Sequence, residues 1–240
     1  APRSLKSSRR KKPASPSSFS LRLGGMEPYN VSTSQAEREA LADLLQQSGP
    51  DAPTLCEGWT ARDLAVHLVI REYRPDAAAG MFFKGLANRL DTVSHDYESK
   101  PFAELVEMYR NGPPTWNPMR LADKYANLAE NFIHHEDLRR GGGDNSPRDL
   151  ANSARESLWK AVSKMAKFCL RSSRIHVVIE RTDGAEAAVV RAGADTPDEV
   201  RVSGDAGELL LWLYGRDSAA NVTLTPGDEA TVARIKRHIF

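Results

Sequence analysis

The chain has 240 residues, 40% of them apolar and 27% charged, a balance that fits a soluble globular protein of one large domain or two small ones and excludes a low-complexity or fibrous chain. No apolar run reaches the ~18 residues a membrane-spanning helix needs; the longest apolar cluster lies within residues 207–215. The net charge of +1 hides an asymmetry, because residues 1–25 hold seven cations and no acid, so the remainder carries −6, which argues against a nucleic-acid-binding body.

Residues 1–28, with "RSLKSSRRKKPASPSSFS", are basic and rich in Ser and Pro, and too poor in apolar side chains to fold alone. They are expected to be a disordered tail: a tag remnant, a stretch read upstream of a start at Met26, or a linker. Deleting them is expected to leave the thermal midpoint unchanged, and a clear drop would show that they pack on the body. From Met26 onward the pattern is helical. Ser34 with Glu37 reads as a capping box ahead of Leu41, Leu44 and Leu45, and Gly49-Pro50 ends that helix. Thr60 with Asp63 caps a second helix, in which Leu64, His67, Leu68 and Arg71 share one side. Pro101 opens a short helix that Gly112 closes. A long helix is predicted over about 119–140, and after the break "GGGDNSP" another from 147 to about 171. Four long helices, a short one and short loops predict an up-and-down four-helix bundle over residues 29–172.

The pattern changes at Arg174. Two β-branched runs flank Thr182-Asp183-Gly184, a hairpin signal. A strand in "DEVRVSG", a short helix in "DAGELLLWLYGRDS", a strand in "ANVTLTPG" and a closing helix in "DEATVARIKRHIF" complete a small α+β domain over residues 173–240. The expected fold is therefore α+β with two domains.

The chemistry concentrates in "LAENFIHHEDLRR", residues 128–140, which places two histidines among three carboxylates. Glu130 and His134 are four apart and so share a helix face, the spacing at which two side chains chelate one ion. His67 lies on the inner side of its own helix, and a bundle brings two such faces together. His, Glu and His leave coordination positions open, which is the pattern of catalytic zinc and also suits non-haem iron. The other reading of the same residues is a hydrogen-bonded core histidine and a surface Glu–His pair. His135 points about 100° away from His134 and is expected at the surface. Asp137 either holds the second nitrogen of His134 or pairs with Arg139 or Arg140. Cys56 and Cys169 show no CxxC spacing, which fits a reduced, cytoplasmic chain; Cys56 reads as a small buried apolar residue.

"CEGWTARDLAVHL", residues 56–68, resembles the first signature of the mycothiol-dependent maleylpyruvate isomerase family, which belongs to the DinB-like metal-binding bundles. "ENFIHHEDLRR", residues 130–140, resembles the second, and "WLYGR", residues 212–216, resembles a motif of the family's C-terminal α+β domain. The resemblance covers about residues 30–240. It implies His67, Glu130 and His134 as ligands of a divalent metal, zinc ahead of nickel or iron, with Asp137 behind them. It also implies mycothiol or a similar low-molecular-weight thiol as cofactor, bound to the metal as a thiolate that adds to an electrophilic substrate. "HHED" and "REYRPDAAAG", residues 71–80, depart from the family pattern and mark a divergent branch, so the substrate is not carried over.

Arg216, released where Gly215 ends its helix, is expected to reach the cleft between the domains as a catalytic residue for an acidic substrate or an enolate; the alternative is a surface pair with Asp217 or Asp205. The function expected is a mycothiol-dependent isomerase or S-transferase, acting as monomer or homodimer without nucleic acid or membrane. The competing reading is a non-catalytic metal- or ligand-binding module of the same fold. The fourth coordination position separates them, since a protein ligand there would make the site structural.

Overall fold

Ser32, not Ser34, opens the first helix, α1 (Thr33–Ser48): its hydroxyl accepts from the Gln35 N–H while the Gln35 side chain accepts from the Ser32 N–H. Both serines satisfy the capping pattern, and the earlier one prevails because Glu37 is held instead by His135 and Arg148. The computed structural model describes residues 32–81, 83–115, 117, 124–184 and 188–238, all within one compact unit. The basic tail lies outside these residues.

Helix α2 (Ala61–Tyr73) starts at Thr60 with the expected reciprocal Asp63 cap. A one-turn α3 (Pro75–Ala78) and two 3-10 turns, Ala79–Met81 and Lys84–Leu86, lead into α4 (Ala87–Glu98). Helix α4 was not expected, although Leu86, Leu90, Val93 and Tyr97 repeat at helical spacing; Val93 is buried and Leu90 and Tyr97 pack beside it. Helix α5 (Phe102–Asn111) runs from Pro101 to Gly112 as the sequence predicts. Helix α6 spans Lys124–Gly141, and the first residues of the predicted long helix lie outside the described ones. Helix α7 (Asn152–Cys169) begins five residues later than predicted. The segment before it is drawn onto α6 by Arg148, whose guanidinium meets Glu37 and Glu136.

Strands β1 (His176–Arg181), β2 (Ala188–Gly193), β3 (Glu199–Gly204) and β4 (Val222–Thr225) form a sheet in the order β2-β1-β3-β4. The two outer pairs are antiparallel and β1–β3 is parallel. Helix α8 (Ala206–Leu213) links β3 to β4, and every one of its residues is buried. The predicted closing helix is a single turn, α9 (Glu229–Val232). The chain leaves helical geometry there because the Arg234 carbonyl accepts from the Arg174 N–H and the His238 N–H donates to Cys169 at the end of α7.

The molecule is thus helix-rich with a small four-stranded sheet. One apolar core joins α6, α7 and α8 to β1 and β3, and a second joins α1, α2, α4 and α5 to Leu138 of α6. Helix α6 lies between the cores, so residues 131–138 are buried without a break. Helices buried all round are usually apolar, yet this one carries Asn131, His134, His135, Glu136 and Asp137 inward. The buried charges are paired. Arg140 donates to Glu136 at 2.5 Å, to both carboxylate oxygens of Glu208 on α8 at 2.6 and 3.1 Å, and to the Ala219 carbonyl at 2.6 Å. No described helix is long and apolar enough to cross a membrane.

Candidate metal centre

Helices α2 and α6 bring His67, Glu130 and His134 together, with their donor atoms all within 4.8 Å of one another. One helical turn separates Glu130 from His134, leaving His134 Nε2 3.6 Å from Glu130 Oε2. The His67 and His134 rings stand 5.0 Å apart at 67°, and the Trp59 ring packs 5.2 Å from that of His67. His67 Nε2 is buried and has no hydrogen-bond partner. A buried polar atom without a partner is costly and rare, and here it sits beside a second imidazole and a carboxylate. That donor set fits zinc, nickel or iron. The site is neither an ordinary hydrogen-bonded core histidine nor a surface pair: Glu130 is half-buried and His134 is buried.

The electrostatics prepare these atoms differently. Burial, reinforced by positive charge at His134, pushes His67 down to about 3, so its ring is neutral and its lone pair available. Burial opposes ionisation of Glu130, but hydrogen bonding to His134 and the nearby Arg71 outweigh it and hold the carboxyl at about 2. Burial likewise disfavours charge on His134, yet Asp137 and Glu130 raise it well above the usual imidazole range. An ion held by His134 would compete with a proton for that ring.

Asp137 sits one turn beyond His134, its Oδ2 3.0 Å from Nδ1 of that ring, and it pairs with neither Arg139 nor Arg140. Those two guanidinium groups turn to Glu136. The partner of Asp137 is Arg216, whose Nε and Nη2 donate to its two oxygens at 2.9 and 2.6 Å. Gly215, at φ 82°, ends α8 and turns Arg216 towards α6. The guanidinium thus reaches the site and avoids both Asp217 and Asp205, but its fork already holds a carboxylate.

Two expectations fail here. His135 is buried rather than exposed, because α6 has no solvent face at this point; its Nδ1 lies 2.7 Å from Glu37 Oε1 and 3.1 Å from Arg148 Nη1. Cys56 is half-buried rather than a core residue, because it lies in the turn before α2, where its thiol meets Asp137 at 3.4 Å and Arg216 at 3.5 Å. Cys56, His134 and Asp137 form a second cluster of possible donors within 4.8 Å. The sequence pattern also did not reveal Arg71, 3.6 Å from Glu130 Oε2 across the α2–α6 contact. Its place on the same side of α2 as His67 was the available signal. His67, Glu130, His134, Cys56, Arg71 and Arg216 line one cavity of about 1040 Å³.

Residues 32–166 match the family model for the mycothiol maleylpyruvate isomerase N-terminal domain, and residues 159–234 match the one for the MDMPI C-terminal domain. Two crystal structures share the fold, those of the mycothiol-dependent maleylpyruvate isomerase and of a histidine-to-alanine mutant of it. Each is 14% identical, with a TM-score of 0.54 over 83% of this chain and 92% of the other. No curated protein sequence matches the chain.

Proposed function

Because the chain belongs to the mycothiol maleylpyruvate isomerase family, we propose that it is a divalent-metal protein acting as a mycothiol-dependent isomerase or S-transferase. The observation that carries this reading is the buried, unpartnered His67 Nε2 beside Glu130 and His134. These three residues would hold the ion, zinc ahead of nickel or iron. A metal there would supply a Lewis acid that keeps a small-molecule thiol ionised. The protein's own residues do the rest. Asp137 fixes the orientation of His134 through Nδ1. Arg216 fixes Asp137, so we assign it a positioning role rather than contact with an acidic substrate. Trp59 covers His67, and the apolar cavity wall limits water. On this reading the chain divides at about residue 172 into a DinB-like four-helix bundle and a small α+β domain, and it works in the cytoplasm.

A non-catalytic reading draws on Cys56, because a fourth ligand from the protein would close the site. Metal analysis of the purified protein, followed by titration with mycothiol, separates the two. The enzyme reading expects one ion per chain and thiol binding that Cys56→Ser leaves intact. Metal content that falls in Cys56→Ser, together with no thiol binding, would overturn it. Asp137→Asn is expected to weaken metal affinity about 10- to 100-fold, the usual cost of losing the group that orients a ligand imidazole, and competition with a chelator of known affinity measures it.

A further inference from the structure

We propose that the cavity beside the three donors takes an uncharged, apolar electrophile rather than a dicarboxylic acid. The proposal rests on the thiol-dependent reading above and adds the class of the second substrate.

Among the described residues, the cavity's arginines are Arg71 and Arg216. Neither is free. Arg71 faces Glu130 and donates through Nη2 to Asn127 Oδ1 at 3.3 Å. Arg216 gives two donors to Asp137 and its Nη1 to the Tyr214 carbonyl at 2.7 Å. The Asp137 side chain is 0% exposed. Drawing Arg216 onto a substrate carboxylate would strand that aspartate as a buried charge, a change that ordinarily costs several kcal/mol.

Another part of the cavity lining is apolar. It is built by Pro75 and Ala78 of α3, Ala79 and Met81 of the following turn, and Phe83 and Leu90. Pro75, Ala78 and Ala79 belong to residues 71–80, whose sequence departs from the family pattern. Among the described charged side chains of residues 74–90, Asp76 takes both Arg74 and Arg89 in ion pairs, and none of the three lines the cavity. Trp59 and Phe83, at 36% and 65% exposure, stand at the cavity with their rings partly in water. Exposed aromatic rings beside a concave apolar surface are the usual mark of a site that an apolar ligand covers. At about 1040 Å³ the cavity lies at the upper end of single-ligand pockets, ~1,000 Å³, with room for a thiol and a second molecule.

An α,β-unsaturated ketone with an aryl or alkyl substituent meets these demands. The thiol sulfur bonds to the β-carbon, the C=C π pair passes to the α-carbon, and that carbon takes the proton the thiol lost. No oxidant or reductant is needed.

Two probes with the same phenyl group decide the class: benzylacetone, which is uncharged and unreactive, and phenylsuccinate, a dicarboxylate. Titration calorimetry on the metal-free protein is expected to show benzylacetone binding at least about tenfold more tightly, a gap of ~1.4 kcal/mol. Ala78→Asp puts a carboxylate on the apolar wall and should cost the benzylacetone complex about tenfold or more while zinc content stays unchanged. Gly80→Ala is the second variant. A Cβ at Gly80 would come within 2.6 Å of the Leu86 carbonyl and 2.8 Å of Leu90 Cβ, so it displaces the wall without adding charge. Phenylsuccinate binding as tightly as benzylacetone, or benzylacetone not binding, overturns the proposal. The metal-free comparison stands even if no thiol activity is found. Consumption of benzylideneacetone and mycothiol by the zinc-loaded protein tests the thiol reading separately.

Discussion

Arg140→Met is expected to destabilise the protein by about 3–5 kcal/mol, the range for breaking a buried ion pair from one side. For a chain of this length that lowers the thermal midpoint by about 6–20 °C. The Arg140 side chain is fully buried, and it joins Glu136 on its own helix to Glu208 on α8 and to the Ala219 carbonyl beyond that helix. Its removal affects the two carboxylates unequally. Glu136 keeps Arg139 and Arg148. Glu208 keeps only the Asn221 N–H among its described partners, at 2.8 Å, and becomes a buried charge without a cation. Adding Glu208→Gln to Arg140→Met should therefore recover part of the loss. Chemical denaturation of the single and double variants checks both statements. A loss below about 1 kcal/mol for the single change, the scale of an exposed pair, would show that water reaches Arg140.

The contrast between α5 and α6 shows what the sequence could and could not reveal. Helix α5 has one buried face and is bounded by Pro101 and Gly112, so periodicity and those two residues place it. Helix α6 is buried on all sides between two cores, which leaves no polar face for periodicity to detect. Its charges look like a solvated surface until their partners from α1, α8 and the segment before α7 are in place. The i,i+4 relation of Glu130 and His134 was legible because it is local. The pairing of Asp137 with Arg216 spans 79 positions, and only tertiary packing reveals it. Helix α7 was misplaced at its start for the same reason: Arg148 leaves helical geometry to reach carboxylates on two other helices. Helix α4 was legible from its spacing but has a single buried residue, Val93, and so a weak signal.

His134→Ala is expected to strip the metal, and His135→Ala to leave it bound. The two residues are neighbours on α6, but their rings serve different helices. His134 Nε2 faces Glu130 and its ring lies 5.0 Å from that of His67, so its removal leaves two donors from the protein. Losing a group that merely orients a ligand already costs about 10- to 100-fold in affinity, so losing the ligand should cost at least about 100-fold. Metal content after dialysis should then fall from one ion per chain to a small fraction. His135 lies against Glu37 and Arg148, on the α1 side of α6. Its truncation removes a buried partner of Glu37 while Arg148 remains, so the expected effect is a loss of about 1–3 kcal/mol of stability with metal content unchanged. Inductively coupled plasma mass spectrometry and thermal melts on the two variants read out both effects. If His135→Ala loses the metal while His134→Ala keeps it, the ion is bound on the α1 face and the triad of His67, Glu130 and His134 is not its site.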